Sequence, residues 1–371
     1  MSGSLDAPVG VEAGKDEAPT PTPFPVRVDI RSIALPGLFV LAAFYTLYFA
    51  RAFLVPLTVG LLLSFLFSPL VRRLSRGRIP TSLSAAAVLL AVVATVGGAL
   101  YGLSGPAASW LAQTPQALST VEARLREVLK PLERFSKTAE HVEKMTEIGA
   151  ATTPQVELKR ESLAATVFGG TQNFLGAVMV VSVLLFFLLA SGDLFLTKLI
   201  KVLPRLSDKK RAVQIARETE DQISAYMVTV TVVNIVFGVM VAVALKMQGM
   251  PNPVLWGVLA GITNYIPYLG ALAMAVILGL VALLHFETTG QAAMIPAVFL
   301  VLNFFEGNII TPRLIGQRLA LNPVVVFTSV LFWGWIWGVM GALMAVPITA
   351  ALKIVCDHIE GLAPIGELLG Q

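Results

Sequence analysis

The chain has 371 residues, 56% of them hydrophobic and only 13% charged, and its mean hydropathy is +0.78. Soluble globular domains carry about 25% charged residues, so the composition excludes that class and indicates an all-α polytopic membrane protein. The net charge of +4 comes from bases beside apolar stretches, an orienting pattern and not a nucleic-acid footprint; the single cysteine, Cys356, excludes an internal disulfide and a multi-cysteine metal site.

Residues 1–30, rich in Pro, Thr, Gly, Ala and acids, lack the basic start and apolar core of a signal peptide and are expected to form a disordered cytoplasmic tail. Residues 31–104 are predicted to hold three spans, at about 33–50, 52–71 and 82–103. Arg72, Arg73, Arg76 and Arg78 follow the second without an acid and mark the cytoplasmic side. The third is rich in Ala, Gly and Val, residues that let helices approach closely in lipid, and is expected to be buried among other helices. Residues 105–162 form a polar insertion, expected to be helical and extracytoplasmic. In it Leu118, Val121, Leu125, Val128, Leu132 and Phe135 recur at spacings of three and four, the seam of a coiled coil interrupted by Pro131. That seam suits either subunit contacts or packing within its own domain.

Residues 163–371 are expected to be the transport region. A fourth span, about 165–190, ends at Ser191-Gly192-Asp193; the basic stretch 191–222 then predicts an amphipathic segment on the inner leaflet. A fifth span covers about 223–245. Residues 254–284 exceed the ~20 residues a crossing requires and are interrupted by Asn264-Tyr265-Ile266-Pro267-Tyr268-Leu269-Gly270. Pro267 removes a helical donor, and Asn264 and the tyrosines bring groups that lipid cannot satisfy. Two readings stand: one kinked crossing, or a re-entrant pair of half-helices. Re-entry is favoured, because the next span, about 292–305, then delivers Arg313 and Arg318 to the cytoplasm. Residues 324–352 repeat the shape, with Gly334, Gly338, Gly341 and Pro347 inside and Asn322-Pro323-Val324 matching Asn252-Pro253-Val254 at the start. The whole reads as about six full spans plus two re-entrant or broken hairpins, the arrangement inverted-repeat transporters use around a midplane site.

Glu306, flanked by Asn303 and Asn308, is the clearest acid at membrane depth. A carboxylate there is costly and marks an ion or substrate path, unless it pairs with Arg313 or Arg318. Asn264, Tyr265 and Tyr268 suit a polar small molecule or a cation; interhelical hydrogen bonding accounts for them nearly as well, and better for Asn234. Pro267, Gly270, Gly338 and Gly341 complete the candidate pathway. Trp333, Trp335 and Trp337 read as an interfacial belt.

No nucleotide loop, nucleophile elbow, zinc-protease motif or dinucleotide turn is present, and His141, His285 and His358 are scattered, so neither an enzyme nor a bound metal or other cofactor is expected. The run Asn264 to Gly270, followed by Glu306, Pro312, Ile315-Gly316, Asn322-Pro323 and the segment from Gly338 to Pro347, resembles the autoinducer-2 exporter (PerM-like permease) family over roughly residues 38–353. The resemblance implies a gradient-driven exporter of a small polar solute in the bacterial inner membrane, with both termini cytoplasmic. Its alternatives are a Na+(Li+)/H+ antiporter, with a monovalent cation and proton as partners, and a membrane scaffold acting through residues 105–162. A homo-oligomer embedded in membrane lipids, without nucleic acid, is expected. Members often follow the tyrosine at the start of the fifth span with Gly-Gln; here the residues are Tyr226-Met227-Val228-Thr229, which puts specificity in question.

Overall fold

The computed structural model describes residues 30–110, 163–192, 194–202, 205–315 and 321–370. Apart from one β-bridge between Leu321 and Gly370, every regular element among them is a helix. Two compact units are distinguished, residues 1–46 and 47–371. The described part of the first belongs to α1 (Ile30–Phe49), whose apolar side chains Leu35, Leu38, Phe39 and Leu41 are exposed, as a lipid-facing helix requires.

In the second unit α2 (Arg51–Ser75) and α3 (Thr81–Trp110) are joined by a turn in which Arg78 takes a positive φ of 67°. Helix α3 continues past residue 105, into the start of the predicted insertion; the rest of that insertion and its seam lie outside the described residues. Ser84, Ala85 and Val88 of α3 are buried against Val71 of α2 and Leu185 and Leu189 of α4 (Leu163–Ser191). The middle of α3 corrects the expectation of burial, while Leu103, Ala107 and Trp110 at its end pack on the core that includes Trp256. Leu90, Val93, Val96, Leu100 and Tyr101 are exposed, and the space beside Gly97, Gly98, Gly102 and Gly105 is open. Small residues permit close approach, but nothing among the described residues uses it here.

The basic stretch after α4 is also rearranged. A short α5 (Leu194–Val202) is followed by α6 (Leu206–Met247), a single helix of 42 residues that merges the predicted surface segment with the fifth span. No proline or glycine occurs between Pro204 and Gly238 to stop it.

Next comes the first hairpin. Helix α7 (Pro253–Thr263) packs antiparallel on α6, with Gly257 beside Gly238 and Gly261 beside Asn234; a Cβ on any of the three glycines would fall within 2.8 Å of a facing backbone carbonyl. Its 11 residues rise about 16 Å, half of the ~30 Å hydrocarbon layer. The chain then breaks at Asn264–Tyr268, where Tyr268 takes a φ of 61°, and α8 (Leu269–His285) runs back. Gly270 lies so close to the Thr263 carbonyl that a Cβ there would overlap it; in an unbroken helix residues seven apart are about 10 Å apart. The stretch 254–284 is therefore a fold-back and not one kinked crossing. Helix α9 (Thr289–Phe305) packs on α8 and, with α6, encloses a core around Phe237, Met274, Leu278 and Phe299.

The second hairpin is α11 (Pro323–His358). Its 36 residues form two arms meeting at Gly338, whose φ of 64° and ψ of −148° are open almost only to glycine. The Ser329 hydroxyl is bonded to Thr349, twenty residues on, and to the Ala345 carbonyl at 3.3 Å. A straight helix would hold Ser329 and Thr349 about 30 Å apart. Gly341 crosses so close to the Trp333 carbonyl that a Cβ would overlap it.

The hairpins enter from opposite ends of α6. The first leaves its C-terminal end after Met247. The second returns beside its N-terminal part, where Arg211 donates to the His358 carbonyl and His358 pairs with Glu218 at 3.0 Å. Their tips meet inside, with Ile266 and Leu269 packed against Val330, Trp333 and Ala345. Finally α12 (Ala363–Leu369) folds back so that Asn322 donates its N–H to the Leu369 carbonyl at 3.1 Å, clamping the start of α11.

Candidate functional site

The break between α7 and α8 is where backbone and side-chain polarity concentrate, and it opens onto a cavity of about 620 Å³. Asn234, Asn264, Tyr265, Pro267, Tyr268, Asn303 and Glu306 all line it, so seven of the ten sequence-predicted residues converge. Gly270, Gly338 and Gly341 do not; they make the fold-backs possible from behind.

Three asparagines from three elements form a directed chain. Asn303 of α9 donates through Nδ2 to Asn264 Oδ1 at 3.3 Å, and Asn264 Nδ2 donates to Asn234 Oδ1 of α6 at 2.9 Å. Asn234 is buried, and its Nδ2, shielded from solvent, ends the chain beside the Tyr265 hydroxyl, which donates to Thr231 Oγ1 at 2.8 Å and keeps lone pairs that can accept. Interhelical bonding thus accounts for the Asn234 amide oxygen, while Asn264 and Asn303 bond between elements and also line the cavity.

Glu306 is 6% exposed. It begins a π-turn, Glu306–Ile310, inserted between α9 and α10 (Thr311–Ile315). The cause is readable in the chain: Pro312 has no N–H to offer the Asn308 carbonyl and its ring would clash with it, so the turn widens and the Thr311 N–H bonds the Glu306 carbonyl five residues back. Thr311 also donates its hydroxyl to Glu306 Oε1. Turns of this kind recur at functional sites. No ion pair joins Glu306 to Arg313 among the described residues, and Arg318 lies outside them. Among the described residues that line the cavity, none is Lys, Arg or His. Among the described residues no cluster of three metal-ligating side chains occurs.

Sequence reasoning named Asn308, beside Glu306, and Tyr226, in the fifth span, without making either a site residue, and passed over Thr311; all three line the cavity, and Thr231 orients Tyr265. Thr311 too had a local signal, its place five residues after Glu306 and just before Pro312. The tryptophans do not form a belt: Trp333 is buried and stacks with Trp337 at 4.8 Å, Trp337 Nε1 donates to the Leu47 carbonyl at 3.0 Å, and Trp335 alone points outward, 74% exposed. Two arms of a folded hairpin need large side chains between them, and that demand took Trp333 and Trp337 inside.

Comparison with known proteins agrees with this architecture. The model of the AI-2E family transporter family matches residues 38–361. The AI-2 transport protein TqsA of Escherichia coli (strain K12) is 28% identical over 326 residues, covering 87% of this chain and 91% of that protein. A putative transport protein of Haemophilus influenzae is 28% identical with the same coverages, and the putative permease PerM of E. coli (strain K12) is 27% identical over 48% of this chain and 50% of its own length. With a match across nearly all its helices, this chain belongs to the AI-2E transporter family of multi-pass membrane proteins.

Proposed function

We propose that this protein is a gradient-driven transporter that exports a small polar solute resembling a quorum-sensing signal, with the 620 Å³ cavity as its pathway and Glu306 as the coupling carboxylate. The observation that carries the reading is the chain Asn303, Asn264, Asn234 on the same cavity wall as a buried acid. The amides of Asn264 and Asn303 offer a solute donors and acceptors, the carboxylate selects a donor or a cation, and among the described residues no Lys, Arg or His lines the cavity. An uncharged hydroxylated solute satisfies both ends, as does a cation retaining part of its hydration. TqsA carries AI-2 in its name, which makes autoinducer-2 the first solute to try.

Two hairpins approaching from opposite ends of α6 and touching at Ile266, Leu269 and Trp333 support a broken-helix transport site, with this contact as the partition a solute would have to pass. Arginines at the end of α2 and Arg313 after α9 support a cytoplasmic placement of that side in the inner membrane, and of both termini. The open small-residue face of α3 supports a homo-oligomer. Na+(Li+)/H+ antiport is the second reading, favoured by a buried Glu306 without a described cationic partner.

Reconstitution in liposomes tests both. Under an imposed proton gradient, labelled autoinducer-2 flux is expected, reduced at least tenfold in Glu306→Gln. Internal pH is followed on adding Na+ or Li+. Ion-linked pH change without solute flux selects the antiporter, and an ion-linked change that survives Glu306→Gln removes the coupling role. No flux of any solute would shift the function to the segment 105–162.

A further inference from the structure

A second concavity, away from the asparagine chain, has chemistry of its own. It encloses about 490 Å³ between the C-terminal turn of α2 and the N-terminal half of α6. Arg72, Arg73 and Arg76 form its rim on one side; Glu220 and Asp221 face them from the other. Beyond the charged residues the wall mixes Pro69, Ala225 and Val228 with the hydroxyls of Ser68, Ser224 and Thr229. Arg72 is fixed, pairing with Glu220, which also accepts from Ser68 at 3.1 Å. Arg73 and Arg76 have no hydrogen bond or ion pair among the described residues. Three guanidinium groups against two carboxylates leave a single surplus positive charge.

We infer that this concavity is a binding site for a phosphate group that carries net negative charge with no cation of its own, as in an anionic phospholipid head group, held by Arg73 and Arg76, with Arg72, paired to Glu220, as its wall. The guanidinium fork matches a phosphate's oxygens, two donors to two acceptors, and the α2 C-terminus, where carbonyls are unsatisfied, keeps the bases there at low cost. Orientation in a membrane requires bases near span ends; it requires neither a concavity nor an acid contributed by a second helix to fix one arginine. The charged rim beside a partly apolar wall suits a lipid at the interface, phosphate outward and chain inward, although a free phosphate satisfies the same rim. The site is independent of the transported solute.

The test uses the full-length protein in detergent micelles, with native mass spectrometry counting bound phosphatidylglycerol against phosphatidylcholine, and inorganic phosphate as competitor. Phosphatidylglycerol is expected to bind about tenfold more tightly than phosphatidylcholine, on the scale of surface arginines meeting anionic lipid, and R73Q/R76Q is expected to erase that preference. Arg78, on the same loop but outside the concavity, serves as the control, and R78Q is expected to retain the preference. The single variants R73Q and R76Q, each expected to lose about threefold, keep the test intact if the double variant does not fold. Displacement of bound lipid by millimolar phosphate supports the site and assigns it to a soluble phosphate. Equal binding of the two lipids by the parent, or an undiminished preference in folded R73Q and R76Q, overturns it.

Discussion

The two hairpins share a shape and differ in what fills it. Each is a helix pair folded back at a tight tip, each begins with Asn-Pro-Val, and each has a glycine pressed on a facing carbonyl. In the first, the tip is five residues of broken backbone with Asn264, Tyr265 and Tyr268 turned to a cavity. In the second, the tip is one residue, Gly338, and the polar groups between the arms, Ser329 and Thr349, bond each other and the Ala345 carbonyl in a dry interior beside Trp333 and Ala345. The same topology therefore supports two tasks: a wide break exposes polar side chains to a ligand, while a single-residue break conceals them. Even the shared tripeptide acts differently, since Asn322 caps its helix by accepting from the Val324 N–H at 2.9 Å, whereas Asn252 adopts a φ of 53° and makes no side-chain cap.

The largest effects should strike what the hairpins have in common. Gly270→Ala and Gly341→Ala each place a methyl group into a backbone carbonyl that cannot move without opening the hairpin, so each should cost about 3 kcal/mol or more. Thermal unfolding in detergent should show both variants lowered together and poorly monodisperse. One variant tolerated while the other collapses would mean that the two fold-backs are not equivalent pieces of architecture.

The next effect should separate them. Asn264→Ala leaves the Asn234 carbonyl and the Asn303 amide without partners at once, a cost of about 1–3 kcal/mol for each group, and removes the middle of the polar wall. Solute flux in liposomes should fall at least tenfold while the protein still folds. Ser329→Ala should cost only about 1 kcal/mol, because the Thr349 hydroxyl keeps its own bond to the Ala345 carbonyl at 2.8 Å, and flux should stay within twofold. Equal loss of flux in the two variants would erase the distinction between wet and dry tips.

A finer test falls on the π-turn. Thr311→Val keeps the volume and removes the hydroxyl that Glu306 accepts from. Flux should drop about three- to tenfold under a proton gradient, on the scale of one net hydrogen bond, about 0.5–1.5 kcal/mol. An unchanged flux would show that Thr311 shapes the turn through its backbone alone.

How much of this was open to a reader of the sequence depends on whether the constraint was local. Pro267 beside Asn264 and two tyrosines marked an interruption in 254–284, and length with internal glycines marked another in 324–352, so the breaks were legible, while re-entry of the first was favoured over one kinked crossing only by the placement of Arg313 and Arg318. Glu306 stood out because acids are rare at that depth. The chain from Asn303 to Asn234 was not legible: its members are 30 and 39 residues apart, and only the fold-back brings them to one level. The exposure of α3 and the burial of Trp333 were misread for a related reason. Composition says what a helix can pack against, while the partner is decided by tertiary structure. The continuation of α6 through residue 206 did carry a local signal, the lack of any breaker, which the density of charge obscured.

The smallest predicted effect bears on the tip of the dry hairpin. Trp337 donates its Nε1–H to the Leu47 carbonyl at 3.0 Å and packs on Trp333, so its ring anchors the second tip to the helix it meets. Trp337→Phe keeps most of the apolar contact and deletes the donor, leaving one carbonyl to find another partner, at about 1 kcal/mol. If the second hairpin is only a dry counterpart to the first, the melting temperature should fall by a few degrees, with solute flux unchanged. If the tips must part for a solute to pass, loosening this anchor should instead raise the flux or uncouple it from the proton gradient while stability barely moves. The sign of the flux change, more than its size, decides whether the partition at Ile266, Leu269 and Trp333 is a fixed wall or a moving one.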